Sequence, residues 1–212
     1  MRPSVVAAFD FDGTLTRADS VVPFLVRFGG RRKLALRLAR HGPSLMVAVA
    51  RRDRDRVKAL ATDAMFRGVP RARVEALALE HGREIAANGL RDDVVARLGW
   101  HVGQGHRVVI VSAAYEPYVR VVAGALGVSD VVATRLDVGA ADRCTGVLEG
   151  ANCRAVEKVH RLQQWMSTHG LVRNDVEVWA YGDSSGDREL LAYADHAVWV
   201  NEPLDSVAPA SA

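Results

Sequence analysis

The stretch "VVAAFDFDGTLTRADS", residues 5–20, decides how this chain is read. Val5, Val6, Ala7, Ala8 and Phe9 form the short, uniformly apolar run expected of a strand buried on both faces. Asp10 and Asp12 follow at once, on either side of Phe11, and Gly13-Thr14 comes directly after. Two carboxylates this close at the end of a buried strand repel each other. They are tolerated where a cation lies between them or where one carries a proton. Both conditions belong to a reactive site, so the flanking sequence is read for the groups that would complete it.

From residue 19 the pattern changes to helical spacing, and it holds to residue 88. "FLVRFGG" and "RRKLALRLARHG" end on glycine, "DRVKALATDAMFRG" follows, and "PRARVEALALEHGREIAAN" opens with Pro70, suited to a first helical turn. No strand signal interrupts them, so the segment reads as an all-helical insertion. Beyond it, strands and helices alternate. The helix "LRDDVVARLGWHVGQG" precedes a strand at 107–112, "RVVIVS", then the helix "EPYVRVVAGALG" and the strand "DVVATRLDV". "CTGVLEG" reads as part of a hairpin and "RAVEKVHRLQQWMSTHG" as an amphipathic helix. The strand "DVEVWAYGD", the helix "SGDRELLAYA" and the strand "HAVWV" complete the pattern. Apolar strands separated by helices predict an α/β fold with a doubly wound, mainly parallel, Rossmann-like sheet. Residues 1–18 and 89–212 would form that core, and 19–88 a helical cap domain. The small, polar tail at 206–212 is expected to be loose.

A chain of 212 residues, 49% hydrophobic and 25% charged, is large enough to stabilise such a core without disulfides. It has no run of about 18 apolar residues, so no membrane-spanning helix is expected. The acidic pair comes too early for a signal peptide, and Cys144 and Cys153 lack the spacing of a metal or redox motif. Reduced thiols in a cytoplasmic protein are the expectation. Charge is uneven: segment 27–58 holds eleven Lys and Arg against Asp53 and Asp55, a local +9 in a chain whose net is +3. Within it, "RRKLALRLARHGPSLMVAVARR" interleaves basic and apolar residues. It reads as a solvated face, as a funnel for anionic substrates, or as a weak contact with an anionic membrane. No nucleic-acid partner is expected, because no aromatic residues are interleaved to stack on bases.

In a doubly wound sheet the functional crevice lies at the carboxyl ends of the strands. Three strands end there on polar residues: Asp10, Ser112 and Asp183. Asp10 and Asp183, with an oxygen from Asp12, are hard ligands suited to Mg²⁺. One carboxylate can act as nucleophile, and the other can hold a proton and serve as acid, then base. Gly13 permits a tight turn, leaving the Gly13 and Thr14 N–H groups free to face an anion. Ser112 offers a hydroxyl, and the turn expected at Ala113 offers N–H groups for phosphoryl oxygens. Lys158, one of three lysines among 28 basic residues, supplies a compact cation. Arg154, four residues earlier, is the alternative. Asp187, four residues after Asp183, would orient Lys158 or a metal-bound water.

Taken in order, "DFDGTLT", "VIVSA", a later lysine and "GDSSGD" resemble the four motifs of the haloacid dehalogenase superfamily of phosphatases. The helical insertion directly after the first motif resembles subfamily IB, which includes phosphoserine phosphatase. The resemblance implies that Asp10 is the nucleophile, forming an aspartyl-phosphate, and that Asp12 protonates the leaving group and then activates water. It implies Mg²⁺ on Asp10, the Asp12 backbone carbonyl and Asp183. Ser112 and Lys158 would bind the phosphoryl group, and Asp187 would support the metal site. The expected activity is Mg²⁺-dependent hydrolysis of a small phosphorylated metabolite, with a phosphoserine-like substrate favoured. A lipid-derived or polyol phosphate is the alternative substrate. A non-catalytic membrane- or partner-binding role is the alternative function. Two departures bear on the substrate: Asp19 stands where phosphoserine phosphatases carry a glutamate that reads the amino group, and Ser112-Ala113-Ala114 replaces their Ser-Gly-Gly. Asp19 also reads as a cap for the helix that follows.

Overall fold

The structure, a computed structural model, describes residues 4–201, 203 and 204; the tail expected at 206–212 lies outside them. Along the chain, β1 (Ser4–Phe9) leads through a tight turn at Phe11–Leu15 into five consecutive helices. These are α1 (Val21–Arg27), α2 (Gly30–Ala39), α3 (Gly42–Ala50), α4 (Arg54–Phe66) and α5 (Arg71–Asn88). Then come α6 (Asp92–Gly103), β2 (Arg107–Tyr115), α7 (Glu116–Ala125), β3 (Asp130–Thr134), β4 (Leu136–Gly139) and β5 (Arg143–Leu148). The chain continues through α8 (Val156–Thr168), β6 (Val176–Gly182), α9 (Arg188–Tyr193) and β7 (His196–Trp199).

Five strands form one parallel sheet in the order β3-β2-β1-β6-β7, with β1 at its centre. Alternate residues of β1 feed two separate cores. Ala7 and Phe9 pack with Ile110 and Tyr181 on the face covered by α6 and α7. Val6 and Ala8 pack with Val109, Val178 and Ala180 on the face covered by α8 and α9. Helices on both faces explain why these strands are apolar throughout rather than alternating. Register fixes the rest: Phe9 lies level with Ile110 on one side and Tyr181 on the other. The residues just past these positions, Asp10, Ser112 and Asp183, therefore emerge at the same edge, where the chain order reverses between β2 and β6.

The helical segment is tied to this edge at its base. Thr16 pairs antiparallel with Leu90, the Arg17 N–H donates to Gly89 O (2.8 Å) and the Arg91 N–H donates to Leu15 O (2.9 Å). An aromatic cluster joins the helices to β2 and α7: Phe24 meets Tyr118 at 4.8 Å between centroids, and Phe66 meets Tyr115 at 5.1 Å.

Two expectations are corrected. The run 130–138 is not one strand: β3 ends at Thr134, and β4 pairs antiparallel with β5 in a separate two-stranded sheet. The apolar pattern is continuous across Arg135, so nothing in it marks the break. Past Thr134 the backbone leaves β2 and pairs with β5 instead, beginning at Arg135 O, which accepts the Glu149 N–H (3.0 Å), while the Thr134 hydroxyl donates toward Ala113 O and Asn152 Oδ1 (2.9 Å each) at the cleft. The second correction concerns β2, which runs to Tyr115 instead of turning after Ser112. Its pairing with β3 becomes irregular over those last residues.

Candidate active site

Asp10 ends β1 with its N–H donated to Tyr181 O (2.9 Å), which fixes the backbone against β6 and aims the side chain into the cleft. The carboxylate is buried and accepts a short hydrogen bond from Lys158 Nζ. Lys158, in the first turn of α8, is itself buried and also donates to Asp187 Oδ1 at 2.5 Å. A single ammonium thus bridges two buried carboxylates. Burial acts to lower its pKa, but the facing charges of Asp10 and Asp187 outweigh that and hold it protonated. Burial likewise pushes Asp10 up to about 6 against the pull of Lys158. Asp187 feels the same burial, yet Lys158 and the hydrogen bonds from the Ser184 N–H (3.0 Å) and hydroxyl (2.8 Å) keep it below the usual carboxylate range.

Asp12 points elsewhere. Its Oδ1 accepts the Ser20 N–H at 3.0 Å, at the start of the helical segment. Burial, with Asp19 and Asp10 nearby, pushes its carboxyl up to about 7. Ser20 is itself held from two sides, by Tyr118 Oη on its hydroxyl (2.9 Å) and by His81 Nε2 on its carbonyl (3.0 Å).

Between the aspartates the chain turns at Gly13, with φ at +82°. A Cβ there would lie 2.3 Å from Asp183 Oδ2, so glycine is required both by the backbone and by the neighbour. Thr14 Oγ1 lies 3.3 Å from both Asp10 Oδ2 and Asp183 Oδ1, linking the two carboxylates through one hydroxyl proton. The Gly13 N–H is not free as expected: Thr16 Oγ1 takes it at 3.3 Å, because the tight turn folds that hydroxyl back underneath it. The turn expected after Ser112 is absent as well. There the Ala114 N–H donates to Ser112 Oγ (2.9 Å) within the continuing strand.

Asp10, Asp183 and Asp187 bring one carboxylate oxygen each to within 4.8 Å of one another. Such a cluster of hard oxygen donors, with Asp183 packed directly against the Cβ-less Gly13, fits a hard divalent cation. The Asp12 carboxylate stands outside this group, leaving that residue's backbone carbonyl as its only candidate donor.

These residues line one cavity of about 770 Å³, together with Asp19, Ala113, Lys58 and Arg154. The Asp19 carboxylate accepts the Val22 N–H at 3.0 Å, capping α1 while also lining the mouth. Arg154 is half-buried, and its side chain has no hydrogen-bond or ion-pair partner among the described residues. Both third-motif candidates therefore face the cleft, Lys158 engaged and Arg154 uncommitted.

Lys58 was not among the expected residues. From α4 it donates to Ala113 O and to Asn152 Oδ1 (2.9 Å), and its ammonium sits 4.5 Å from the Tyr115 ring centroid. Burial pushes it down to about 7 despite Asp12 and Asp55 nearby. Its signal was its scarcity: the rarity that singles out Lys158 applies equally to this lysine. Asn152, which also donates to Asp55 Oδ1 (2.7 Å), carried no signal.

With this geometry in view, comparisons place the chain among known proteins. A family model described as haloacid dehalogenase-like hydrolase matches residues 7–192. Protein CicA of Caulobacter vibrioides is 39% identical over 193 residues, covering 90% of this chain and 83% of that one. A crystal structure of a protein of unknown function from Bordetella pertussis Tohama I superposes with a TM-score of 0.76 at 25% identity, over 91% of this chain and 87% of that one. A phosphoserine phosphatase solved as a phospho-aspartyl intermediate analogue shares the fold, with a TM-score of 0.60 at 18% identity, over 92% of this chain and 84% of that one.

Proposed function

The chain belongs to the haloacid dehalogenase-like hydrolase family, and from that premise we propose that it is a Mg²⁺-dependent phosphatase that hydrolyses a phosphomonoester through an aspartyl-phosphate on Asp10. The observation that carries this reading is the contrast between Asp10 and Asp12. The Asp10 carboxylate is charge-paired with buried Lys158, whereas the Asp12 carboxylate, two residues on, accepts the Ser20 N–H and forms no ion pair among the described residues. Pairs of carboxylates with such different surroundings divide the roles of nucleophile and proton carrier.

Asp10 Oδ attacks phosphorus, and the bond from phosphorus to the organic oxygen breaks. Asp12 gives its proton to that oxygen as it leaves. A water molecule then attacks the phosphorus of the aspartyl-phosphate, the bond from phosphorus to Asp10 breaks and Asp12 takes the water's proton, which frees phosphate and restores the Asp10 carboxylate and the protonated Asp12. Lys158 and Ser112 would donate to the phosphoryl oxygens, and Arg154 is positioned as a further donor. Asp10, Asp183 and the Asp12 carbonyl would hold Mg²⁺, which when bound offsets charge on the phosphoryl oxygens and on Asp10. The helices spanning residues 19–88 would act as a cap that keeps water from the aspartyl-phosphate.

A phosphoserine-like substrate agrees with the neighbour's activity, but the cleft argues for a second reading. Asp19 at the mouth already accepts the Val22 N–H on one of its oxygens, while Val21, Val22, Leu25 and Val49 line the wall with Arg52 and Arg54. That lining favours a phosphate carried on an apolar or anionic group, as in lipid-derived phosphates. Phosphate release from phosphoserine, glycerol phosphate and lysophosphatidate, each with Mg²⁺ and with chelator, tests both readings. Mg²⁺-dependent release that disappears in Asp10→Asn supports the mechanism, and an Asp10→Asn variant with full turnover refutes it.

A further inference from the structure

The basic and apolar surfaces of the molecule meet on helices α2 and α3. From Gly42 to Ala50, α3 carries no charged residue, yet only Ala48 in it is buried. Met46, Val47 and Val49 are 73%, 51% and 59% exposed. On α2, Leu34 and Leu38 pack partly against the core, but Leu36, on the other side, is 71% exposed. Single exposed apolar residues are ordinary, whereas a charge-free helix left mostly in solvent marks a surface that something covers.

Cations ring this face. Arg31 and Arg32 on α2, Arg40 at its end, and Arg51, Arg52 and Arg54 after α3 are exposed, and none forms an ion pair among the described residues. The two acidic residues nearby are otherwise engaged. Asp53 caps α4 by accepting the Arg56 N–H (2.9 Å), and Asp55 accepts from Asn152 (2.7 Å).

We infer that the α2–α3 pair is an interfacial docking surface for an anionic lipid membrane. The apolar side chains of Leu36, Met46 and Val47 enter the boundary between headgroups and acyl chains, and the arginines rest on lipid phosphates. Charge complementarity selects this occupant. A second copy would oppose one +9 segment to another, which like-charge repulsion disfavours. A nucleic acid would find no ring to stack on, since the segment's one Phe, Tyr or Trp residue, Phe28, is buried. No helix among the described residues is long and apolar enough to cross a membrane, so the contact is one of lying on the surface.

This face is continuous with the cleft, because Val22, Ala48, Val49, Arg52 and Arg54 line the cavity that ends at Asp10. Resting on the phosphatase reading, docking turns the mouth toward the lipid. The substrate class is then a phosphomonoester borne by a lipid, whose phosphate enters while its apolar part stays along Val22 and Val49.

The test is co-flotation of the full chain with vesicles of phosphatidylcholine alone, or with about one third phosphatidylglycerol, at about 0.05 and 0.5 M salt. Binding to the anionic vesicles is expected to be at least ~10-fold stronger, and to be lost at the higher salt. The double variant Leu36→Glu, Met46→Glu is expected to stay in solution while melting like the parent. Absence of flotation with anionic vesicles overturns the inference. So does equal binding to phosphatidylcholine, or a double variant that melts normally and still floats. Should that variant not fold, Arg31→Ser with Arg32→Ser is expected to lose flotation, and its retention overturns the inference. Phosphate release from soluble glycerol phosphate, without vesicles, judges the phosphatase reading on its own. Preference for vesicle-borne lysophosphatidate over glycerol phosphate supports the lipid substrate, and the reverse preference overturns that part.

Discussion

The Asp183 carboxylate occupies the space that a side chain on Gly13 would need, with Oδ2 only 2.3 Å from where a Cβ would stand. Gly13 also has a positive φ of +82°, in a region that costs other residues about 1–2 kcal/mol. Gly13→Ala is therefore expected to move Asp183 away from Asp10 and Thr14, and to unfold slightly more easily. A displacement of about 1 Å at a reacting centre costs on the order of 100-fold in rate. Phosphate-release kinetics beside a thermal melt check this. Activity within about twofold of the parent would show that Asp183 has no fixed role.

Lys158 is expected to be the most costly single residue to lose. It is buried between Asp10 and Asp187, so Lys158→Met leaves two buried carboxylates without their shared cation. Removing one partner from a buried ionic group typically costs about 3–5 kcal/mol. Urea unfolding in chelator measures it, and turnover is expected to fall at least ~100-fold in the same variant. A variant as stable as the parent would mean that the carboxylates take up protons at little cost.

How much of this was legible in the chain depends on the length scale of the signal. The central strand, its acidic end and the helical insertion were readable because each is encoded locally: a five-residue apolar run, a D-x-D-G, and unbroken helical spacing from 19 to 88. That Asp10, Ser112 and Asp183 share an edge was readable too, because parallel strands align their carboxyl ends. The division of 130–138 into β3 and β4 was not, since it depends on the backbone past Thr134 pairing with Arg143–Leu148 rather than with β2. Lys58 was hidden for a related reason. It sits in a basic segment where every cation looks alike, and only tertiary packing puts this one under Ala113 and Asn152. Asp12's attachment to Ser20, eight residues on, likewise needed the fold of the turn.

Two helical glycines predict opposite signs for the same substitution. At Gly82 on α5, a Cβ would stand 2.6 Å from Val121 Cβ and 3.0 Å from Tyr118 O, where α5 and α7 cross closely. Overpacking of that kind costs about 1–3 kcal/mol, more than the roughly 1 kcal/mol of helix propensity gained. At Gly99 on α6, nothing lies within 4 Å, so the propensity gain stands alone. Gly82→Ala is expected to lower the melting temperature, and Gly99→Ala to raise it by about 2–4 °C. A stabilised Gly82→Ala variant would show that the helical segment can shift on the core without penalty.

His101 provides a pH signature of the core beneath the site. It is fully buried on α6, with Nε2 on Tyr181 Oη and Nδ1 on His106 Nδ1 (2.8 Å each), and Trp100, Trp179 and Arg97 close around it. Burial, followed by His106 and Arg97, pushes its imidazole down to about 3. The unfolded chain takes up this proton near pH 6.5, while the folded chain refuses it until near pH 3. Stability from this group is therefore complete above pH 6.5 and declines as pH falls, at about 1.4 kcal/mol per unit. Asp10 and Asp12 work in the opposite direction over the same window, because their folded values are raised and folding favours their protonated forms as pH falls. The quantity to measure is accordingly the difference between the parent and His101→Gln in urea unfolding, in chelator, at about pH 7.5 and 4.5. The parent is expected to lose about 2–3 kcal/mol relative to the variant between those values. Asp93, held down to about 2 by Arg91, does not enter until lower pH. A flat difference would mean that His101 takes up its proton in the folded chain. An imidazole NMR titration would then show a transition well above pH 4, where a neutral ring is expected.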